Sequence, residues 1–119
     1  MKLFHATATI AVVSIMETLV TAVHWECLNV KFYETSVYQA AFFAWSNELN
    51  TVNNYPKRCI WEDPTGIDEQ FRSFPLQATG LPWTSGTVSY YVVSNRNRSK
   101  LKVFSELRGG FLCNLKVTD

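Results

Sequence analysis

One stretch constrains the fold more than any other: Ser36 to Leu49, SVYQAAFFAWSNEL. Tyr38, Phe42, Trp45 and Leu49 recur at i, i+4, i+7 and i+11, with Ala41 and Ala44 beside them. That spacing stacks large apolar groups along one helical face and predicts a helix that buries them. Ser36 with Gln39 three residues on reads as a capping box. Glu34 suits the positive end of the helix dipole. Asn50 and Asn53-Asn54 supply the stop. After residue 23 no other stretch carries a helical pattern of this length, so the remainder is strand and loop. A single aromatic helix needs a sheet to cover it, and the expected class is α+β.

Residues 1–22 read as a secretory signal peptide. Lys2 gives the basic end, Ala6 to Met16 is apolar apart from Thr and Ser, and Val20-Thr21-Ala22 is a small-residue cleavage site. A membrane anchor is the alternative, but Glu17 interrupts the run, and spanning takes about 20 apolar residues. The expected product is a soluble, secreted, monomeric domain over 23–119. The net charge is +1, and losing Lys2 and Glu17 leaves it unchanged. Nothing global then favours nucleic acid or an anionic membrane, and such binding needs a local patch.

A mature domain of about 100 residues buries only about two thirds of its unfolded surface, so a covalent link helps. Cys27, Cys59 and Cys113 allow three pairings, each leaving one thiol. Cys27 with Cys113 restrains the most chain, for about 4 to 5 kcal/mol in the chain-entropy model. Cys59 is then a buried or intermolecular thiol. Lys57 and Arg58 beside it are weak evidence for an activated nucleophile.

Along the chain, His24 to Tyr33 reads as one strand feeding the helix. Asn50 to Gln70 reads as a long loop with a short strand around Arg58 to Trp61. Phe71 to Leu76 is a strand whose Pro75 marks an edge or bulge. Val88 to Ser94 and Lys100 to Glu106 form a hairpin about the polar turn Asn95 to Arg98. Phe111 to Val117 is a last strand carrying Cys113.

Against these landmarks the order resembles the microbial guanyl-preferring ribonuclease fold, one long helix on a central antiparallel sheet. Tyr55-Pro56-Lys57 looks like that family's Tyr-Pro-His segment. Phe74-Pro75-Leu76 looks like its aromatic-Pro-aliphatic strand, and Gly110-Phe111-Leu112 before Cys113 looks like its closing strand and terminal cysteine. Trp25-Glu26-Cys27 after a signal peptide, with a cysteine near the C-terminus, also resembles the ribonuclease-like effectors of cereal powdery mildew fungi. That likeness covers essentially the whole mature chain. It implies a secreted effector or avirulence protein, delivered into the plant cell, that binds host proteins or RNA and is recognised by an intracellular immune receptor.

The departures from the ribonuclease pattern concern chemistry. Cleavage by 2′-hydroxyl attack needs a general base and acid, with cations to hold the phosphorane charge. By position the family's first histidine is Lys57, its glutamate is Ser73, its arginine falls near Tyr91, and its last histidine is absent between Ser105 and Arg108. The two histidines are His5, in the signal, and His24, ahead of the domain. Glu62, Glu69 and Glu106 read as solvated carboxylates. The expectation is a pseudoenzyme; an active ribonuclease with rearranged acid and base is the alternative, and a scaffold or inhibitor without ribonuclease ancestry is a third reading. RNA cleavage separates the first two.

Candidate partner or RNA contacts are Tyr55, Lys57, Arg58, Trp83, Arg96, Arg98, Lys100 and Lys102, with Tyr90 and Tyr91 preceding the basic turn. Basic groups near aromatics hold phosphates and stack bases, although polar hairpin tips are commonly just solvated. Tyr55 and Phe111 correspond to the family's cleft walls. Asn97-Arg98-Ser99 is a glycosylation sequon. No zinc, calcium or phosphate-loop spacing occurs, so no metal or cofactor is expected.

Overall fold

The computed structural model describes residues 22–60 and 69–118. The signal-peptide reading, Trp61, Glu62, Asp63 and Asp68 lie outside the described residues. The first strand, β1 (Ala22–Cys27), turns back at Leu28, whose φ is 58°, into β2 (Val30–Tyr33). The expected single strand is therefore a hairpin: an Asn follows a residue in the left-handed region, and the register pairs Cys27 with Val30. His24 lies inside β1, buried, with Nε2 3.0 Å from Glu26 Oε2. It is part of the domain and not ahead of it.

The helix α1 (Glu34–Ser46) follows directly on β2. It starts and stops earlier than the spacing suggested, and no side chain caps its N-terminus. Ser36 does not form a capping box, because its Oγ donates to Gly80 O at 3.4 Å across the structure. Gly80 sits at φ +81°, and a Cβ there would meet Ser36 Oγ at 3.2 Å, so both backbone and space call for glycine. At the far end, Asn47 Nδ2 donates to Phe43 O at 3.0 Å. Arg72 donates to Ala44 O (3.2 Å) and Asn47 O (3.1 Å), bringing a cation to a C-terminus that has no basic residue of its own.

The buried face of α1 is Val37, Ala40, Ala41 and Ala44, while Tyr38 and Phe42 are exposed. Ala41 and Ala44 are buried as expected, but the helix is turned so that Tyr38 and Phe42, expected inside with them, face out. Small residues let the helix backbone approach the sheet closely, and the sheet supplies the bulk with Phe74, Leu76, Tyr90 and Val92. Phe43 and Trp45 flank that seam, half-buried, and Trp45 Nε1 donates to Ser94 O at 3.0 Å.

The other strands are β3 (Lys57–Cys59), β4 (Phe71–Leu76), β5 (Tyr90–Asn95), β6 (Leu101–Ser105), β7 (Phe111–Leu112) and β8 (Asn114–Thr118). Among the described residues they form two antiparallel sheets, β2-β1-β8 and β3-β4-β5-β6-β7. The last expected strand is split. Cys113 falls between β7 and β8, which belong to different sheets. Its N–H donates to Val103 O at 2.8 Å, and its sulfur is bonded to Cys27, tying the two sheets together at their junction. Pro75 pairs with Tyr91 of β5 beyond the point where β3 ends, so its missing N–H costs the other edge nothing. The architecture is α+β, one helix laid on antiparallel sheet.

Candidate functional site

Side chains alternate across a strand, so the registers decide which residues share a face. Arg72, Phe74 and Leu76 of β4 point to α1, with Ser94, Val92 and Tyr90 opposite them on β5. The other face carries Lys57 and Cys59 of β3, Ser73 of β4, Tyr91 and Val93 of β5, and Lys102 and Phe104 of β6. Lys57 is directly opposite Ser73, Ser73 opposite Val93, and Tyr91 opposite Phe104. The three positions that the resemblance assigned to catalysis thus lie together on the face turned away from the helix. The pairing of three strands, β3, β4 and β5, brings them there from distant points in the chain.

The chemistry on this face is that of neutral and cationic groups. Ser73 is buried near the Cys59 thiol, which donates to Lys57 O at 3.6 Å; burial pushes that thiol above its ordinary pKa, against smaller lowering effects from Ser73 and Lys57. The hydroxyls of Tyr55 and Tyr91 are likewise pushed up, first by burial and then by the Glu106 carboxylate. Tyr91 stacks on Phe104 with centroids 5.3 Å apart. The Lys57 ammonium rides over the Tyr55 ring at 4.7 Å, which places a positive charge on this side of the sheet. Glu106 is exposed and close enough to both tyrosines to perturb them, so it sits at the rim of this face. No histidine stands on this face among the described residues; His24 belongs to the other sheet.

Other expected contacts are redistributed. Trp83 is buried, edge-on against Tyr55 at 5.4 Å and Phe74 at 6.0 Å, and is core where a partner contact was expected. Phe111 is half-buried against the same core. The basic turn does not converge. Arg96 lies 4.8 Å over the Trp45 ring and Arg98 5.7 Å over Phe42, both on the helix side. Lys100 pairs with Glu69 Oε1 at 3.0 Å, and Lys102 projects from the opposite face of β6. Tyr90 and Tyr91 point to opposite faces, as alternation requires, and Tyr90 packs edge-on against Phe32 at 5.0 Å. Glu69 is no solvated carboxylate: it accepts from buried Asn95 Nδ2 at 2.7 Å as well as from Lys100. Asn97 is exposed, its Oδ1 accepting from Ser99 N at 3.1 Å. Arg58 is exposed on β3, across from Arg72.

Among the described residues no group of three or more His, Cys, Asp or Glu could hold a metal ion. No helix there is long and apolar enough to cross a membrane.

No family model matches the chain. It is 26% identical over 113 residues to the secreted effector CSEP0064 of Blumeria graminis f. sp. hordei (strain DH14), spanning 95% of this chain and 96% of that protein. Its structure matches the crystal structure of the BEC1054 RNase-like effector from the fungal pathogen Blumeria graminis with a TM-score of 0.69 and 27% identity. That match covers 80% of this chain and 98% of the other. The chain thus has the fold of a ribonuclease-like effector and is similar along nearly its whole length to a secreted mildew effector.

Proposed function

We propose that this protein is a secreted effector that acts inside the plant host by binding, without cleaving RNA. The observation that carries this reading is the content of the cleft face. Lys57, Ser73 and Tyr91 stand in register where the resemblance calls for a proton-transferring histidine, a glutamate and an arginine. A lysine shuttles protons near neutrality only if its pKa falls by several units. A buried serine whose neighbour is a protonated thiol has no base to activate it. The likeness to a secreted effector supports export. Host proteins, an immune receptor among them, are the partners that fit a fold retained without its acid–base pair, and RNA held weakly at Lys57 and Lys102 is the lesser one.

Glu106 beside Tyr55 and Tyr91 keeps one second reading specific, a residual ribonuclease with a displaced carboxylate base. The test is cleavage of single-stranded RNA by the refolded mature domain from pH 4 to 8. No turnover above a heat-inactivated control is expected at any pH. Turnover that disappears in Glu106→Gln would replace the binding reading with the second one.

A further inference from the structure

The outer side of α1, which the other described residues leave partly exposed, is lined by arginines. Tyr38 and Phe42 are 41% and 50% exposed, one helical turn apart, and Trp45 follows on the same side. Arg72 stacks on Trp45 at 4.4 Å, Arg96 on the same ring at 4.8 Å, and Arg98 on Phe42 at 5.7 Å. Arg58 stands opposite Arg72 in the β3–β4 register. The guanidiniums are close enough that burial, Arg96 and then Arg58 all work against the charge on Arg72. Arg72 is engaged by the helix carbonyls, whereas Arg58, Arg96 and Arg98 have no carboxylate partner among the described residues. Among the described residues the nearby carboxylates are otherwise used or set apart. Glu34 accepts from Val23 N at the far end of the helix, Glu69 is held by Asn95 and Lys100, and Glu48 lies exposed beyond the last turn. On a chain of net charge +1, this is a concentrated patch of one sign.

Resting on the reading that the protein works by binding, we propose that this arginine–aromatic face docks an acidic, amphipathic segment of a partner protein. Tyr, Trp and Arg are the residues that dominate protein interfaces when they cluster. A guanidinium held over a ring face keeps N–H donors free beyond the ring, and those donors form the fork that receives a carboxylate. The apolar ridge of Tyr38 and Phe42 beside the cations matches an apolar side on the partner. Single-stranded RNA fits less well. The faces of Trp45 and Phe42 already carry guanidiniums, so a base stacks there only by displacing one, and a phosphate backbone has nothing to lay on Phe42. The surface is also on the far side of the sheet from Lys57, Ser73 and Tyr91.

The probe is a synthetic 20-residue helix-forming peptide with Glu along one face and Leu at i, i+3, i+4 and i+7. It is titrated into the ¹⁵N-labelled mature domain and compared with poly-glutamate and with an RNA 20-mer. Expected are shifts at the Trp45 indole N–H, which reports directly through its bond to Ser94, and affinity at least tenfold above either control. Phe42→Ala and the double variant Arg96→Glu/Arg98→Glu each weaken binding by tenfold or more, and Lys116→Glu, exposed on β8 in the other sheet, leaves it unchanged. Equal binding of poly-glutamate or RNA overturns the proposal, as does loss through Lys116→Glu or no shift at Trp45. RNA cleavage measured on the same sample keeps the readings apart: cleavage with intact peptide binding removes the pseudoenzyme, and absent binding without cleavage removes only the docking face.

Discussion

The Cys27–Cys113 bond gives the most direct test of how this small domain is held. The two residues are 86 apart in sequence and both are buried. A loop of about 87 residues carries a closure entropy worth about 4.6 kcal/mol at 25 °C in the chain-entropy model. Stabilities of small domains run from about 5 to 15 kcal/mol, so removing the bond takes a large share of the total. A domain of this size loses roughly 4 to 8 °C of Tm per kcal/mol, which predicts a fall of about 20 °C or more. The perturbation is Cys27→Ala/Cys113→Ala, set beside the wild type reduced under native conditions, with urea unfolding followed by tryptophan fluorescence. Because the model places the effect in the unfolded chain, both samples lose nearly the same stability. The urea m-value also rises, since the unlinked chain exposes more surface. A loss below about 1.5 kcal/mol with two-state unfolding intact would refute the argument and place the stability in the sheet junction itself. So would an unchanged m-value.

The orientation of α1 makes a second prediction. Ala41 is fully buried, so Ala41→Leu overpacks the seam against β4 and β5 and costs about 1 to 3 kcal/mol. Phe42→Ala removes a larger group yet costs under about 1 kcal/mol, because half of that ring faces water; urea midpoints in the opposite order would mean the helix is rotated. A third concerns Cys59. Its thiol pKa is raised, chiefly by burial, so the folded chain holds that proton more tightly than a free thiol does. Alkylation by iodoacetamide is expected to be slower than that of glutathione at pH 7 to 8. It should accelerate at more alkaline pH than glutathione does, where the preference of the folded state for the protonated thiol also erodes stability. Equal rates at pH 7 would show the thiol to be open and activated.

Local pattern carried most of the central strands and the chemistry of the Lys57, Ser73 and Tyr91 positions, because each depends on residues close in sequence. Leu101 to Ser105 alternates, YYVV is β-rich, and Tyr55-Pro56-Lys57 and Phe74-Pro75-Leu76 could be placed by order alone. Once placed, the absence of histidine at those positions follows from residue identity and needs no coordinates. What the sequence did not determine was which side of a pattern faces inward. Tyr38, Phe42 and Trp45 have the spacing of a buried stripe, but helix periodicity is equally satisfied by the neighbouring row of Val37, Ala40, Ala41 and Ala44. The choice fell to the sheet, where Phe74, Leu76 and Val92 already fill the space that the stripe would have taken. The same holds for the basic turn. Arg96 and Arg98 fold back onto α1, Lys100 meets Glu69 from more than thirty residues away, and Lys102 takes the other face, since pairing register and not sequence proximity sets each direction. The kinds of side chain available to this protein were set by its sequence; tertiary packing decided that Lys57, Ser73 and Tyr91 and the arginine-lined helix look out from opposite sides of the sheet.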